Sequence, residues 1–367
     1  MSEPKLFTSI KVGDITLPNR IAMAPLTRNR ALPEGDIPRE MNAEYYAQRA
    51  TAGLIISEGT QISPQGKGYA FTPGIYSAAQ VEGWKRVTEA VHAKGGHIAA
   101  QLWHVGRVSI PALQPDGQDP VGPSDIPSGS RTFDGQGFVP TSTPRPLRTD
   151  EIPGIVADYV KAARNARTAG FDMVEIHAAN GYLLDQFLRD AVNTRTDAYG
   201  GSAENRVRLL DEVVAAVVAE IGAGRVGVRL SPWAKANNAP LDSDVPGTYG
   251  LAVDALNRHG VAFLHVVEGM TGGARDDAPA DQVTALRKRF SGVYMANNGY
   301  DRQTAIDAVD SGRADMVSFG RLFIANPDLV ARLKSDAPLN VGDQKTFYGG
   351  GREGYTDYPF LEATGVA

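Results

Sequence analysis

The chain has 367 residues, 42% of them apolar and 22% charged, enough apolar material to bury a sizeable core. Its net charge of −5, with no block of like charges, argues against a phosphate-tracking nucleic-acid binder and against a basic membrane patch. Cysteine is absent, which excludes disulfides, thiolate nucleophiles and sulfur-ligated metals. The first twenty residues, MSEPKLFTSIKVGDITLPNR, contain no basic segment leading into an apolar one, and no apolar run reaches membrane-spanning length. A cytoplasmic protein is the expectation.

In chain order, residues 10–17 read as a hairpin ahead of the first long strand, placed to plug the N-terminal end of a barrel. Eight short, nearly continuous apolar runs then suit strands buried on both faces: 20–25, 54–59, 97–103, 173–178, 226–231, 263–269, 293–299 and 316–321. Helical patterns fall between them at 79–94, 155–169, 203–221, 248–259 and 302–310, with Gly95-Gly96, Gly170, Gly260, Gly292 and Gly312 as expected C-terminal caps. Eight strand–helix units predict an α/β fold: one eight-stranded parallel (β/α) barrel, a TIM barrel, spanning 1–367 as a single domain. Two connections are too long for simple turns. Residues 104–150 and 179–202 both leave the C-terminal ends of strands, where such barrels build their sites, and are expected to cap the mouth.

Polar residues at those strand ends carry the functional reading. His177, Asn180 and Tyr182 lie within six residues, where the strand 173–178 gives way to a loop. His177 and Asn180 can both donate to one ligand oxygen, and the Tyr182 phenol can deliver a proton nearby. Thr27 follows the first strand, and Gln101 and Trp103 end the third. Arg229 lies inside the apolar fifth strand, where a guanidinium needs either a carboxylate partner or an anionic or electron-rich ligand. The seventh and eighth strands end in Asn297-Asn298-Gly299 and Phe319-Gly320-Arg321, and the loops after these strands commonly bind phosphate in this fold. Glycine allows close backbone approach there, and Arg321 can fork onto phosphate oxygens.

Gly349-Gly350-Gly351-Arg352-Glu353-Gly354 fits a dinucleotide-binding fingerprint by letter, but no strand precedes it and no helix is evident after it. It reads as a loop carrying Tyr348, Tyr355 and Tyr358 toward another surface. No metal site is expected, since none of the six histidines forms a His-Glu-x-x-His pair. His92, His97, His259 and His265 read as ordinary core or surface residues.

The runs NRIAMAPLTR at 19–28, YYAQRATAGLIISEGTQIS at 45–63, QLWHVGR at 101–107, HAANGYLLDQFL at 177–188, NTRTDAYGGSAENRVR at 193–208, FGRLFIANPDLV and FYGGGREGYTDYP resemble the Old Yellow Enzyme family of FMN-dependent ene-reductases, over nearly the whole chain. That resemblance implies a tightly held, non-covalent FMN, with Ala24, Pro25, Leu26 and Thr27 lining it and Gly59, Gln101 and Arg229 holding the isoalloxazine. Gly299, Gly320 and Arg321 would take its phosphate. It implies NADPH as hydride donor, with NADH as the alternative. His177 and Asn180 would bind the substrate's activating oxygen, and Tyr182 would be the proton donor. Tyr69, Trp103 and Tyr348 would border the substrate pocket. The implied substrates are α,β-unsaturated carbonyls, nitro compounds and nitrate esters, handled by a monomer or homodimer. Some members carry His where Asn180 stands, and both can donate. Another branch has Cys where Thr27 stands, and this chain lies outside it. The rival readings are another FMN barrel oxidoreductase, of the 2-hydroxy-acid oxidase or dihydroorotate dehydrogenase type, a cofactor-free barrel hydrolase or aldolase, and a non-catalytic flavin-binding protein. The HAANGY run fits neither FMN rival, and no strand-end lysine suits a Schiff base.

Overall fold

The computed structural model describes residues 3–270 and 273–361; the remaining residues of the expected 1–367 span lie outside the described ones. Eight parallel strands close on themselves: β1 Ile21–Met23, β2 Leu54–Ile56, β3 Ile98–Trp103, β4 Met173–Ala178, β5 Val226–Leu230, β6 Phe263–Val267, β7 Val293–Asn297 and β8 Met316–Phe319. Each pairs with the next in sequence, and β8 pairs with β1 to close the ring. This is the TIM-barrel architecture expected from the strand–helix rhythm.

Alternation within the buried strands decides what the barrel contains. On β4, Val174, Ile176 and Ala178 pack outward into the large core shared with the helices, and Met173 packs inward. The same division puts Ala99 inside and Ile98, Ala100 and Leu102 outside on β3. The inner apolar cluster fills only the N-terminal half of the barrel: Ala22, Leu54, Ala99, Met173, Phe263, Met295 and Met316 meet Val12 and Leu17 there. Those last two come from the hairpin, in which Ile10–Val12 pairs antiparallel with Ile15–Leu17. The plug docks closely at its turn. Gly13 has φ +54°, and a Cβ there would lie 2.0 Å from the carbonyl oxygen of Gly224. Further along β3 to β8, six of the eight strands, the inward positions turn polar, as Gln101, Glu175, Arg229, His265, Asn297 and Ser318, so the C-terminal half carries the polar groups.

Helices Ala203–Ile221 and Arg302–Asp310 occupy the predicted residues, while Ala78–His92, Ile152–Thr168 and Val245–His259 differ from expectation only at their ends. Gly260 caps its helix in the left-handed conformation. Gly292 does not act as a cap: the helix before β7, Ala280–Arg289, ends on an extended Phe290. The eighth strand stops at Phe319, and Arg321 opens a short helix, Arg321–Ala325, instead of ending the strand. The long connection 104–150 holds an antiparallel hairpin, Arg131–Phe133 with Phe138–Pro140, and 179–202 holds the short helix Leu183–Leu188.

Candidate active site

β4 and β5 run in register, so His177 stands beside Arg229 at the mouth. Trp103, at the end of β3, gathers the rings around it. Its ring stacks toward His177 at 6.4 Å and toward Tyr69 at 5.7 Å, and meets Tyr182 edge-on at 5.0 Å. Tyr182 also lies edge-on to His177 at 5.2 Å, and its hydroxyl is 3.2 Å from that of Tyr69. Gly59 lies directly under Trp103, since a Cβ at 59 would sit 2.5 Å from the indole. The structure therefore brings His177, Tyr182, Tyr69, Trp103 and Gly59 together from separate segments of the chain.

The turn after β4 is set by two consecutive left-handed residues, Asn180 at φ +58° and Gly181 at φ +73°. Asparagine tolerates that conformation better than most side chains. The Asn180 N–H donates to Ser231 Oγ at 2.7 Å, and its carbonyl accepts from Asn237 Nδ2 at 2.9 Å. Gly181 N–H donates to Asp185 Oδ2 at 2.8 Å, and Asp185 is buried in an ion pair with Arg189 at 3.0 Å. The loop carrying the donors is thus anchored on both sides. Asn237, which the sequence reading passed over, also bonds the Tyr182 side chain, and its Oδ1 accepts from Ser130 Oγ at 2.9 Å.

Electrostatics fix the protonation states. Burial, and after it the Arg229 charge, hold His177 well below its ordinary range, so the imidazole is neutral at physiological pH and can serve as a hydrogen-bond donor. Burial pushes the Tyr182 phenol up, against the lowering effect of its bonds to Tyr69 and Asn237, so it keeps its proton. Arg229 Nη2 donates to the neutral Asn297 Oδ1 at 2.9 Å, and its Nε has no partner among the described residues. Trp103 Nε1 and His177 Nδ1 are likewise buried without partners there. Such groups are costly unless a ligand supplies acceptors. An electron-rich heterocycle laid across the mouth, as FMN would be, fits this donor set.

The remaining expected residues fall around that mouth. Ala24 and Leu26 face Gly320, where an added Cβ would lie 3.3 Å from Leu26 Cδ2, and the Ala24 N–H donates to the Phe319 carbonyl at 3.0 Å. Pro25 and Thr27 are half-buried in the same segment, and Arg321 is exposed. Asn298 and Gly299 are both left-handed, at φ +100° and +66°. Tyr348 is 58% exposed, yet near enough to raise the phenols of Tyr69 and Tyr182. Tyr355 corrects the sequence reading. It is fully buried and stacked on Tyr45 at 4.1 Å, an anchor for the C-terminal loop and not a surface residue. Arg28 and Arg30 hold that loop through the carbonyls of Phe347, Gly354, Gly351 and Thr346. His265 is also no ordinary core residue, because it bonds Glu175 at 2.7 Å and Ser318 at 2.7 Å inside the barrel. Among the described residues no group of three or more His, Cys, Asp or Glu is placed to hold a metal ion, and no helix is long and apolar enough to cross a membrane.

Comparison with known proteins places this geometry. The family model described as NADH:flavin oxidoreductase / NADH oxidase matches residues 5–340. The 12-oxophytodienoate reductase 1 of Oryza sativa subsp. japonica is 50% identical over 363 residues, covering 97% of this chain and 93% of that protein. Morphinone reductase, solved in complex with tetrahydroNAD, superposes with a TM-score of 0.93 at 51% identity, covering 98% of both chains. An Old Yellow Enzyme homologue from Zymomonas mobilis gives a TM-score of 0.93 at 47% identity, covering 98% of this chain and 100% of that one.

Proposed function

The chain belongs to the Old Yellow Enzyme family of FMN-dependent NADH:flavin oxidoreductases, and from that footing we propose that it reduces activated alkenes, with His177 and Asn180 gripping the substrate oxygen and Tyr182 donating the proton. The alkenes are α,β-unsaturated carbonyls and nitro compounds, and nitrate esters are a further substrate class for the same site. FMN, when bound, supplies the hydride relay, accepting from NADPH or NADH and passing on to the β-carbon. One observation carries the reading: His177, Tyr182 and an Arg229 whose Nε has no partner among the described residues meet at one end of the barrel, where burial lowers the imidazole pKa and raises that of the phenol.

Ala24, Pro25, Leu26, Thr27, Gly59, Gln101 and Arg229 would hold the flavin ring, and Gly299, Gly320 and Arg321 its phosphate. Arg229 would offer its positive charge to the ring, whose reduced form is anionic. Neutral His177 and Asn180 stabilise charge growing on the substrate oxygen, as fixed donors do best in a site closed to water. Tyr182 holds its proton at the hydroxyl until the α-carbon becomes basic. Trp103, Tyr69 and Tyr348 shape the space the alkene enters, and segments 104–150 and 179–202 cap it over a single 1–367 domain. One space serving both nicotinamide and alkene makes the kinetics ping-pong. We place the protein in the cytoplasm, as a monomer or homodimer.

An anaerobic sample reduced with NADPH is expected to regain its oxidised flavin spectrum on mixing with 2-cyclohexenone. Failure to do so with both an enone and a nitroalkene would remove the activity.

A further inference from the structure

One layer below the mouth, a continuous hydrogen-bonded path crosses the barrel interior. Gln101, Glu175, His265 and Ser318 are each no more than 2% exposed. Gln101 Nε2 donates to Glu175 Oε1 at 2.8 Å, and the other carboxylate oxygen accepts from His265 Nδ1 at 2.7 Å. His265 Nε2 lies 2.7 Å from Ser318 Oγ. From the Ser318 carbonyl the path continues to Asn297 Nδ2 at 3.1 Å, and from Asn297 Oδ1 to Arg229 Nη2 at 2.9 Å. It starts at Gln101 and ends at Arg229, the two side chains read as flavin contacts. Glu175, His265 and Ser318 link them from inside the barrel.

The chemistry of the path is directional. Burial and the Arg229 charge lower the His265 pKa against the pull of Glu175, so the imidazole is neutral. A neutral ring that donates from Nδ1 must accept at Nε2, which makes the Ser318 hydroxyl the donor there. Glu175 thus receives two side-chain donors, one on each carboxylate oxygen, the partners a buried carboxylate needs. It acts electrostatically on Arg229 across the barrel. It also dictates how Gln101 sits. Rotating the amide by half a turn would set its oxygen against a carboxylate oxygen, two acceptors facing each other, so the Gln101 carbonyl and its second N–H are turned away from Glu175.

We propose that Glu175, held by His265 and Ser318, is a positioning residue that fixes the Gln101 amide toward the flavin and, as a fixed negative charge opposing Arg229, lowers the flavin's reduction potential. This rests on the reading that Gln101 and Arg229 face the FMN. Glu175→Gln keeps the side-chain volume and removes the charge. In the holoenzyme it is expected to raise the affinity for reduced relative to oxidised flavin about tenfold, a positive shift of roughly 30 mV for a two-electron couple. Arg229→Ala is expected to shift the potential the opposite way and to weaken FMN binding. An unchanged potential in Glu175→Gln, with a shifted one in Arg229→Ala, overturns the role of Glu175 and leaves the flavin reading standing. If neither variant shifts the potential or loses FMN, the flavin reading itself fails. Should Glu175→Gln not retain FMN, ¹⁵N spectra of the unmodified holoenzyme decide the matter. The His265 ring signals, assigned by their loss in His265→Asn, are expected to move on flavin reduction, and signals that stay fixed overturn the proposal.

Discussion

Tyr182→Phe is expected to leave reduction of the bound flavin by NADPH nearly unchanged while slowing enone reduction by about 10²–10⁴-fold, the usual cost of losing a positioned general acid. The two half-reactions separate because only the second needs a proton on carbon. The phenol is suited to give it: burial keeps it protonated, and the hydroxyl of Tyr69 and the side chain of Asn237 hold it in place. Phenylalanine preserves the edge-on packing against Trp103 and His177, so flavin binding has no reason to change. Nitroalkenes provide the internal control. Their hydride adducts are stable nitronates, so hydride uptake should stay fast and only the protonation should slow. Stopped-flow spectra of both half-reactions measure this. Collapsed flavin reduction beside normal enone turnover would take the proton-donor role away from Tyr182.

Removing both oxygen-binding donors is expected to weaken the binding of a phenolate by about 2–5 kcal/mol, in the range for hydrogen bonds to a charged ligand. In affinity that is roughly 30- to 5000-fold. His177→Ala with Asn180→Gly is the better pair, because glycine accepts the left-handed backbone of residue 180 at φ +58° and alanine would add strain. Phenols are the useful probe, since a phenolate over an oxidised flavin gives a long-wavelength charge-transfer band. The pH profile of the parent carries a second expectation. Because His177 titrates well below 6.5, it stays neutral across pH 6–8, and affinity should rise only with ionisation of the phenol, with no inflection near 6.5. A double variant that titrates like the parent would remove these residues from the site.

Much of the fold and site was legible in the amino-acid sequence, and what was not has identifiable causes. Strands buried on both faces announce themselves as apolar runs, and β4 lies on the predicted residues 173–178. Helix Ala280–Arg289 escaped notice because only Leu286 is buried along it, leaving no apolar stripe to read. Helix Leu183–Leu188 is buried at every position and too short to show a period. Among the mouth residues, His177 and Tyr182 stood out where a strand gives way to a loop, and Arg229 as a guanidinium inside an apolar strand. Glu175, His265 and Ser318 did not, because each is one polar letter inside an apolar run. Their signal was the two-residue period within those runs: Met173-Glu175-His177, Phe263-His265 and Met316-Ser318 each step from the apolar plug to the polar layer. Asn237 had no local signal at all. It reaches Tyr182 only because the loop after β5 folds back over the turn after β4.

The most direct test of an alkene-reducing site with Tyr182 as its acid is the fate of two hydrogens. Turnover of 2-methylcyclohexenone with NADPH deuterated at the transferred C4 position should place deuterium on the β-carbon. Turnover in deuterated water with ordinary NADPH should place it on the α-carbon, and the slow residual turnover of Tyr182→Phe should lose facial selectivity at that carbon alone. Deuterium from the nicotinamide absent from the β-carbon, or found at the α-carbon, would contradict the account.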